Sequence, residues 1–256
     1  MALSRRDVLL AGAAAVGLAA CGNGASRAGD ATATTGVTVG GPAPSSATSE
    51  AARGPAGFVA HGPRDRDQVA FTFHANVESD KAMTDAMLAD AARAHVPVTV
   101  FAVGQWLDRD PTLAGRLIGA GHELANHTYT HPSLGGLAAA AVASEIARCR
   151  DVLDRQAPGL ARWFRPSGMD TPTELVLSEA GRAGYATVVG YDVDPHDYQD
   201  PGAAAIVDRV RAGLQAGSIV SLHFGHAGTV AAFPQLVDLA NQRGLSTVTV
   251  STLLRA

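Results

Sequence analysis

The stretch Asn126-His127-Thr128-Tyr129-Thr130-His131 decides the fold and the chemistry expected of this chain. It follows an apolar strand predicted over residues 122–125. Its two imidazoles, four residues apart, can present nitrogen to one point, which is what a divalent transition metal requires of a protein. The spacing alone is a moderate signal, and a polar loop whose histidines only cap hydrogen bonds is equally consistent with it. In a parallel α/β protein, however, functional residues collect where strands end.

Outward from this stretch the chain alternates short apolar strands with helical segments. The strands are predicted near residues 69–73, 98–103, 123–126, 163–164, 186–191, 219–223 and 247–250. The helices are predicted over 80–95, 105–119, 137–156, 172–183, 203–216 and 230–243. Roughly seven β-α units indicate an α/β fold, a distorted (β/α)-barrel of about seven parallel strands. An open doubly wound sheet is the alternative, but the first strand lacks the glycine-rich turn of a dinucleotide-binding fold.

The unusual polar residues all follow predicted strands. His74 comes after the first strand, His127 and His131 after the third, Arg165 after the fourth, Asp192 and Asp194 after the fifth, and His223 after the sixth. The carboxyl ends of parallel strands meet at one rim of a barrel, so we expect one shared site there.

The first 21 residues have the pattern of an export signal. A charged head, Ser4-Arg5-Arg6-Asp7, precedes an apolar run over residues 8–20 that is too short to span a bilayer comfortably. The adjacent arginines resemble a twin-arginine signal, and Leu18-Ala19-Ala20-Cys21 resembles a lipobox. We therefore expect lipidation at Cys21 and an exported protein anchored to the outer face of the cytoplasmic membrane. An ordinary cleaved signal with an incidental cysteine is the alternative.

Composition limits what the rest of the chain can form and bind. Residues 22–57 are rich in Gly, Ala, Ser, Thr and Pro and predict a flexible linker. Residues 58–256 are long enough for one domain with a full core. The net charge is −4 and no basic patch is present, so no nucleic-acid partner is expected. Cys149 falls on the apolar side of a predicted helix and should fill the core.

From about residue 67 to 254 the chain resembles the polysaccharide deacetylases of the NodB-homology type, carbohydrate esterase family 4. The likeness is carried by residues 69–73, 126–131, 164–166, 192–198 and 219–223. It implies a metal-dependent hydrolase of carbon-nitrogen bonds other than peptide bonds, which removes acetyl groups from a cell-envelope polysaccharide or amino sugar.

The resemblance also implies roles for individual residues. His127 and His131 would bind a divalent metal, with zinc the expected ion, and His223 would be the general acid. Arg165 would orient the base, supported by Asp197. The partners implied are an acetylated amino-sugar polymer and, through the lipid anchor, the membrane.

The first motif departs from the family pattern. Where the family has Thr-Phe-Asp-Asp-Gly, this chain has Thr72-Phe73-His74-Ala75-Asn76, so His74 takes the base position and Ala75, which cannot bind metal, takes a ligand position. One interpretation is that His74 completes a three-histidine metal site with His127 and His131, which suits zinc. The base would then come from Glu78, Asp80, Asp194 or His226.

Two further interpretations stay open. His74 could itself be the base, with the metal held weakly by two histidines and water. Alternatively, the site is inactive and the domain is a carbohydrate-binding module at the cell surface. The enzyme is favoured because the rim keeps His127, His131, Arg165 and His223 together, and because histidine is itself a good ligand and base.

Overall fold

The computed structural model describes residues 54–255, which form a parallel α/β barrel. The strands are β1 (Gly57–Val59), β2 (Gln68–Ala75), β3 (Thr99–Ala102), β4 (Glu123–Asn126), β5 (Thr187–Val189), β6 (Ile219–His223) and β7 (Ser246–Thr247). The helices are α1 (Lys81–Arg93), α2 (Gly104–Arg109), α3 (Thr112–Gly119), α4 (Ala139–Gln156), α5 (Glu174–Arg182), α6 (Ala203–Gly213), α7 (Ala227–Gln242) and α8 (Val250–Leu253). The predicted export signal, the site at Cys21 and the linker up to residue 53 lie outside the described residues.

The sheet curves into a distorted ring. Strands β4, β3, β2 and β6 are paired in that order, all parallel, while β1 pairs with β5 and β7 with the start of β2. Single bridges continue the ring from Asn126 to Phe164 and from Phe164 to Val188, and another joins Val193 to Val220. The predicted parallel (β/α)-barrel is therefore confirmed, with isolated bridges in place of full ladders on one side.

Alternation along β2 separates two apolar layers. Val69, Phe71, Phe73 and Ala75 pack outward against the helices, whereas Ala70 packs inside the barrel with residues such as Phe101, Ile219 and Val250. Because side chains alternate along a strand, Thr72 and His74 share the inner face with Ala70. His74 is thus directed inward at the carboxyl end of the strand.

Most predicted elements differ from the structure by a few residues at their ends, and four predictions differ in ways that have a physical reason. The helix predicted over 105–119 is divided into α2 and α3 beside Pro111, which has no N–H to continue a helix. The strand predicted at 163–164 is reduced to the bridges of Phe164. The strand predicted over 247–250 ends at Thr247, because the Thr249 side chain caps α8 by accepting from the Thr252 N–H. Packing also begins before residue 58, since Ala56 is buried and its N–H donates to the Leu177 carbonyl.

Two further features bear on the expectations from sequence. Cys149 is buried as a free thiol on α4, as predicted from helical spacing, and burial raises the pKa of its thiol to about 12. Within residues 54–255, none of the helices has the length and apolar content needed to cross a membrane.

Candidate active site

A cleft of about 600 Å³ opens at the carboxyl ends of the strands. Its walls hold six histidines, contributed by the ends of β2, β4 and β6 and by the loops beside them: His74, His127, His131, His196, His223 and His226. The strand-end rule from the sequence thus predicted a site whose histidines are up to 149 positions apart, from His74 to His223. It was wrong for Asp192, which lies outside the cleft and accepts from Arg64 and from the Ile219 N–H at the start of β6.

His127 has a buried nitrogen with no partner. The side chain is 1% exposed, and its Nδ1 lies 2.9 Å from the carbonyl oxygen of Arg165. A carbonyl only accepts, so Nδ1 carries the proton and Nε2 has a free lone pair. Among the described residues, Nε2 finds no hydrogen-bond partner. Burial holds the pKa of His127 well below its ordinary value, so the ring is neutral at neutral pH.

The loop after β4 carries the second histidine of the pair. Thr128 and His131 have left-handed φ angles of 68° and 65°, which cost about 1–3 kcal/mol each for residues other than glycine. Glu145 on α4 holds the loop by accepting from the N–H groups of Tyr129 and Thr130 at 2.9 and 2.8 Å. The ring of His131 consequently lies 4.9 Å from that of His127, centroid to centroid.

His74 directs its lone pair at Arg165. Its Nε2 lies 2.8 Å from Nη1 of Arg165. A guanidinium only donates, so Nε2 accepts and the proton is on Nδ1. The ring lies 4.3 Å from that of His127 and 4.5 Å from that of His223. Burial, followed by the neighbouring His127, lowers the pKa of His74 well below its ordinary value.

Arg165 is a buried cation without a carboxylate. The residue is 1% exposed, and burial lowers its pKa to about 9, which keeps the guanidinium charged at neutral pH. It donates to the carbonyls of Val189 and Gly190, to the Thr72 hydroxyl and to His74. Within residues 54–255 no ion pair reaches it; instead the guanidinium carbon lies 3.9 Å from the centre of the Phe101 ring.

Asp197 pairs with His223 and does not lie beside Arg165. This corrects the expectation that it would support the base position. Its Oδ1 lies 2.7 Å from His223 Nδ1, and its Oδ2 accepts from the His223 N–H at 2.8 Å and the Thr229 hydroxyl at 2.7 Å. The carboxylate is fully buried. It fixes the orientation of the imidazole and leaves His223 Nε2 available to the cleft, an arrangement typical of a general acid or base.

A second His–Asp pair lies beside the first. His226 Nδ1 is 3.0 Å from Asp200 Oδ1, and the rings of His223 and His226 are 6.3 Å apart. Of the four base candidates named from sequence, Glu78, Asp194 and His226 line the cleft. Asp80 instead caps α1 by accepting from the Met83 N–H at 2.8 Å. The role of Asp200 and that of Glu145 in holding the loop had no signal in the sequence, because both depend on tertiary contacts.

The fit to a metal is partial. Nowhere in residues 54–255 are three or more His, Cys, Asp or Glu side chains arranged as a ligand set. The free lone pair of His127 beside His131 suits a divalent metal. The lone pair of His74, which the three-histidine prediction requires, is occupied by Arg165 in this arrangement. Ala75 packs in the outer core layer and does not line the cleft.

Together the parallel barrel and the histidine-rich cleft at its strand ends define an α/β-barrel protein with a candidate active site at the carboxyl ends of its strands. The chain belongs to the polysaccharide deacetylase family, whose family model matches residues 61–188.

Curated relatives agree with this assignment, and a solved structure shares the fold. The chain is 31% identical to a peptidoglycan-N-acetylglucosamine deacetylase of Bacillus cereus, over 78% of this chain and 95% of that protein. It is 38% identical to a chitooligosaccharide deacetylase of Bradyrhizobium, over 51% of this chain and 59% of that protein. A family 4 carbohydrate esterase pseudoenzyme of Bacillus anthracis has the same fold, with a TM-score of 0.71 at 21% identity, over 77% of this chain and 69% of that one.

Proposed function

We propose that this protein hydrolyses the N-acetyl amide of an amino-sugar polymer in the cell envelope, with a divalent metal, zinc, bound at His127 and His131. Family membership and the substrates in the names of the relatives support this proposal. The observation that carries it is the buried lone pair of His127 Nε2. A buried polar atom without a partner costs about 1–3 kcal/mol, and a metal ion would remove that cost.

A bound zinc would polarise the amide carbonyl and lower the pKa of a water molecule. His127 and His131 would supply two ligands, leaving the other positions to water and substrate. His74 has a different task in this proposal. Its lone pair accepts from Arg165, so it offers Nδ1–H as a hydrogen-bond donor and is not the base.

Three His–Asp pairs lie at the cleft, and two of them, His223–Asp197 and His226–Asp200, divide the proton transfers between them. In each of these two pairs an aspartate accepts from Nδ1, so Nε2 is the nitrogen left to exchange a proton. We assign His223, whose aspartate is fully buried, to protonate the leaving amine. We assign His226, 6.3 Å away, to take the proton of the attacking water. One pair has to begin the reaction protonated and the other neutral, which predicts a bell-shaped dependence of kcat/KM on pH.

Sugar binding without turnover is the second candidate function. It is favoured by a specific observation, namely that the end of β2 offers neither a free base nor a carboxylate ligand. Arg165 occupies the lone pair of His74, and Ala75 is packed in the core. The cleft would then recognise the acetylated polymer through its polar walls.

Release of acetate from N-acetylglucosamine oligomers and from peptidoglycan fragments tests the proposal. The zinc-supplied protein should release acetate, and His223→Asn and His226→Asn should each reduce kcat/KM by about 10²-fold or more, the usual contribution of one acid or base. His95→Asn is the matched control, because His95 is exposed and has a left-handed φ of 54° that asparagine tolerates. Binding of the oligomers with no acetate released, in the presence of zinc, would establish the binding module instead.

We also propose that the protein is exported and anchored by a lipid at Cys21. The support is the arginine pair, the apolar run and the lipobox-like residues of the first 21 positions. Replacing Arg5 and Arg6 with lysine should block export through the twin-arginine route. Cys21→Ser should move the protein from the membrane fraction to the soluble fraction, and an unchanged distribution would contradict the anchor.

A further inference from the structure

A second cavity, of about 480 Å³, lies at the other end of the barrel. His122 and Glu123, at the start of β4, line it, whereas His127 follows the end of the same strand in the cleft. Five residues of extended chain span about 16 Å at ~3.3 Å per residue. The second cavity is therefore separate from the candidate active site.

The one carboxylate in this cavity is already fully hydrogen-bonded. Glu123 Oε2 accepts from the Thr99 hydroxyl at 2.9 Å and from the Ser251 N–H at 3.1 Å. Its Oε1 accepts from Trp163 Nε1 at 3.0 Å and from the Ser251 hydroxyl. Two donors on each oxygen leave Glu123 little capacity to bind a cation or a donor from a ligand.

Apart from the Ser251 hydroxyl, which is hydrogen-bonded to Trp163 and Glu123, the remaining polar side chains of the cavity are donors. The Val98 N–H donates to Nδ1 of His122 at 3.3 Å, so that nitrogen carries the lone pair and Nε2 carries the proton. Nε2–H has no acceptor among the described residues, although His122 is only 6% exposed. Arg162 and Arg255 also line the cavity, and neither has an ion-pair or hydrogen-bond partner within residues 54–255.

The lining of this cavity is positively charged and partly apolar. Two arginines against one glutamate give the lining a charge of +1, on a chain whose net charge is −4. Leu160, 51% exposed, lines the same cavity beside Trp163 and Leu254. Ligand pockets combine an apolar wall with a small number of polar groups in this way.

We propose that this cavity binds a small amphiphilic anion, a carboxylate or phosphate head on a hydrocarbon body. The guanidinium groups of Arg162 and Arg255 suit the oxygens of either head. His122 Nε2–H supplies a further donor, and Leu160, Trp163 and Leu254 cover the hydrocarbon. A free anion and a membrane lipid share this chemistry.

Tryptophan fluorescence of the full chain tests the proposal, because Trp163 lines the cavity and the chain has only one other tryptophan, Trp106, which is buried. The probes are decyl phosphate and decanoate below their micelle concentrations. We expect a saturable change with either probe. Decanol, which lacks the charge, and inorganic phosphate, which lacks the hydrocarbon, should bind at least about tenfold more weakly.

Variants locate the binding. The double variant Arg162→Gln/Arg255→Gln should weaken decyl phosphate binding at least about tenfold, and His122→Asn about threefold, with acetate release unchanged. Arg211→Gln, an exposed arginine on α6, is the matched control and should bind as the unaltered protein does. Equal binding of decanol, or unaltered binding by the double arginine variant, would overturn the proposal.

Vesicles distinguish the two sources of the anion. Displacement of the probe by phosphatidylglycerol vesicles, but not by phosphatidylcholine vesicles, supports the site with a membrane lipid as its ligand. Saturable binding of decyl phosphate that neither kind of vesicle displaces supports the site with a free anion.

Discussion

His122 and His127 stand at the two ends of strand β4, and the fold gives them opposite chemistry. Both are buried, and both have an Nε2 without a partner among the described residues. The Val98 N–H makes Nδ1 of His122 an acceptor, whereas the Arg165 carbonyl makes Nδ1 of His127 a donor. Nε2 is consequently a donor at the start of the strand and a lone pair at its end. One backbone contact therefore decides whether each Nε2 is a hydrogen-bond donor or a free lone pair.

Replacing each of these histidines in turn by asparagine is the strongest test of the difference between the two ends of β4. Asparagine keeps a group near Nδ1 for the inner hydrogen bond and removes Nε2. His127→Asn should weaken zinc binding about 100-fold, equivalent to about 2.7 kcal/mol, because the free lone pair is lost. His122→Asn should leave zinc binding unchanged, because its Nε2 carries a proton. Calorimetric titration of zinc into each protein measures both effects.

The same zinc titration tests the role proposed for His74, which is to accept from Arg165 and not to bind the metal. His74→Gln should retain zinc affinity within about threefold if the lone pair of that histidine stays with Arg165. A loss equal to that of His127→Asn would make His74 a metal ligand, as the three-histidine interpretation holds. Zinc bound equally well without His127 would remove the main support for the proposed metal site.

Sequence reasoning reached the site because it rests on strand ends. The carboxyl ends of β2, β4 and β6 follow from local patterns, and the parallel barrel brings their histidines together. Which nitrogen of each imidazole carries the proton does not follow from the local sequence pattern. Arg165 is 91 positions from His74 and 38 from His127, yet its side chain and its carbonyl fix the tautomers of both.

The parts of the fold that sequence missed are short or depend on one contact. β1 has three residues, too few for a periodic signal, and is defined by its pairing with β5. Part of the last predicted strand is instead the start of α8, because the Thr249 side chain caps that helix. Asp197 was noticed in sequence, but its pairing with His223 requires the fold.

Arg165 allows a second test of how the fold sets the chemistry of the site. Its guanidinium donates to His74, while its carbonyl accepts from His127. His74→Asp would place a carboxylate beside this unpaired buried cation. We expect the free energy of unfolding at pH 7 to exceed that of the neutral, equally sized His74→Asn by about 2 kcal/mol, the value of a hydrogen bond between charged groups. Chemical denaturation of both variants measures the difference.

The pH dependence of that gain has a definite sign. Pairing with Arg165 would depress the pKa of the introduced carboxyl below its unfolded value of about 3.9, so the gain is present above that pH and is lost as the pH falls through the lower folded value. Equal stability of the two variants at pH 7 would show that carbonyl groups and the Phe101 ring already compensate the charge of Arg165. The hydrogen bond from His127 to the Arg165 carbonyl should be unaffected in either case.

The smallest expected effect concerns the proton balance of His122. Burial lowers the pKa of His122 below the 6.5 of an exposed histidine. Between pH 6.5 and the lower folded pKa, the unfolded chain binds a proton that the folded chain does not. Acidification through this range therefore destabilises the protein by up to about 1.4 kcal/mol per pH unit. The stability that the neutral His122 contributes is thus fully present above pH 6.5 and is lost as the pH falls through the folded pKa. His122→Asn cannot bind that proton, so from pH 7 to pH 5 it should lose less stability than the unaltered protein, by at most about 1.4 kcal/mol per pH unit. Denaturant unfolding in the absence of metal, with His95→Asn as the control for removing one histidine, gives the difference. Parallel pH profiles for His122→Asn and the unaltered protein would mean that His122 takes up its proton as readily in the folded state as in the unfolded chain. Its Nδ1 would then accept no hydrogen bond from Val98 that holds the imidazole neutral, and the contrast between the two ends of β4 would fail at its first step.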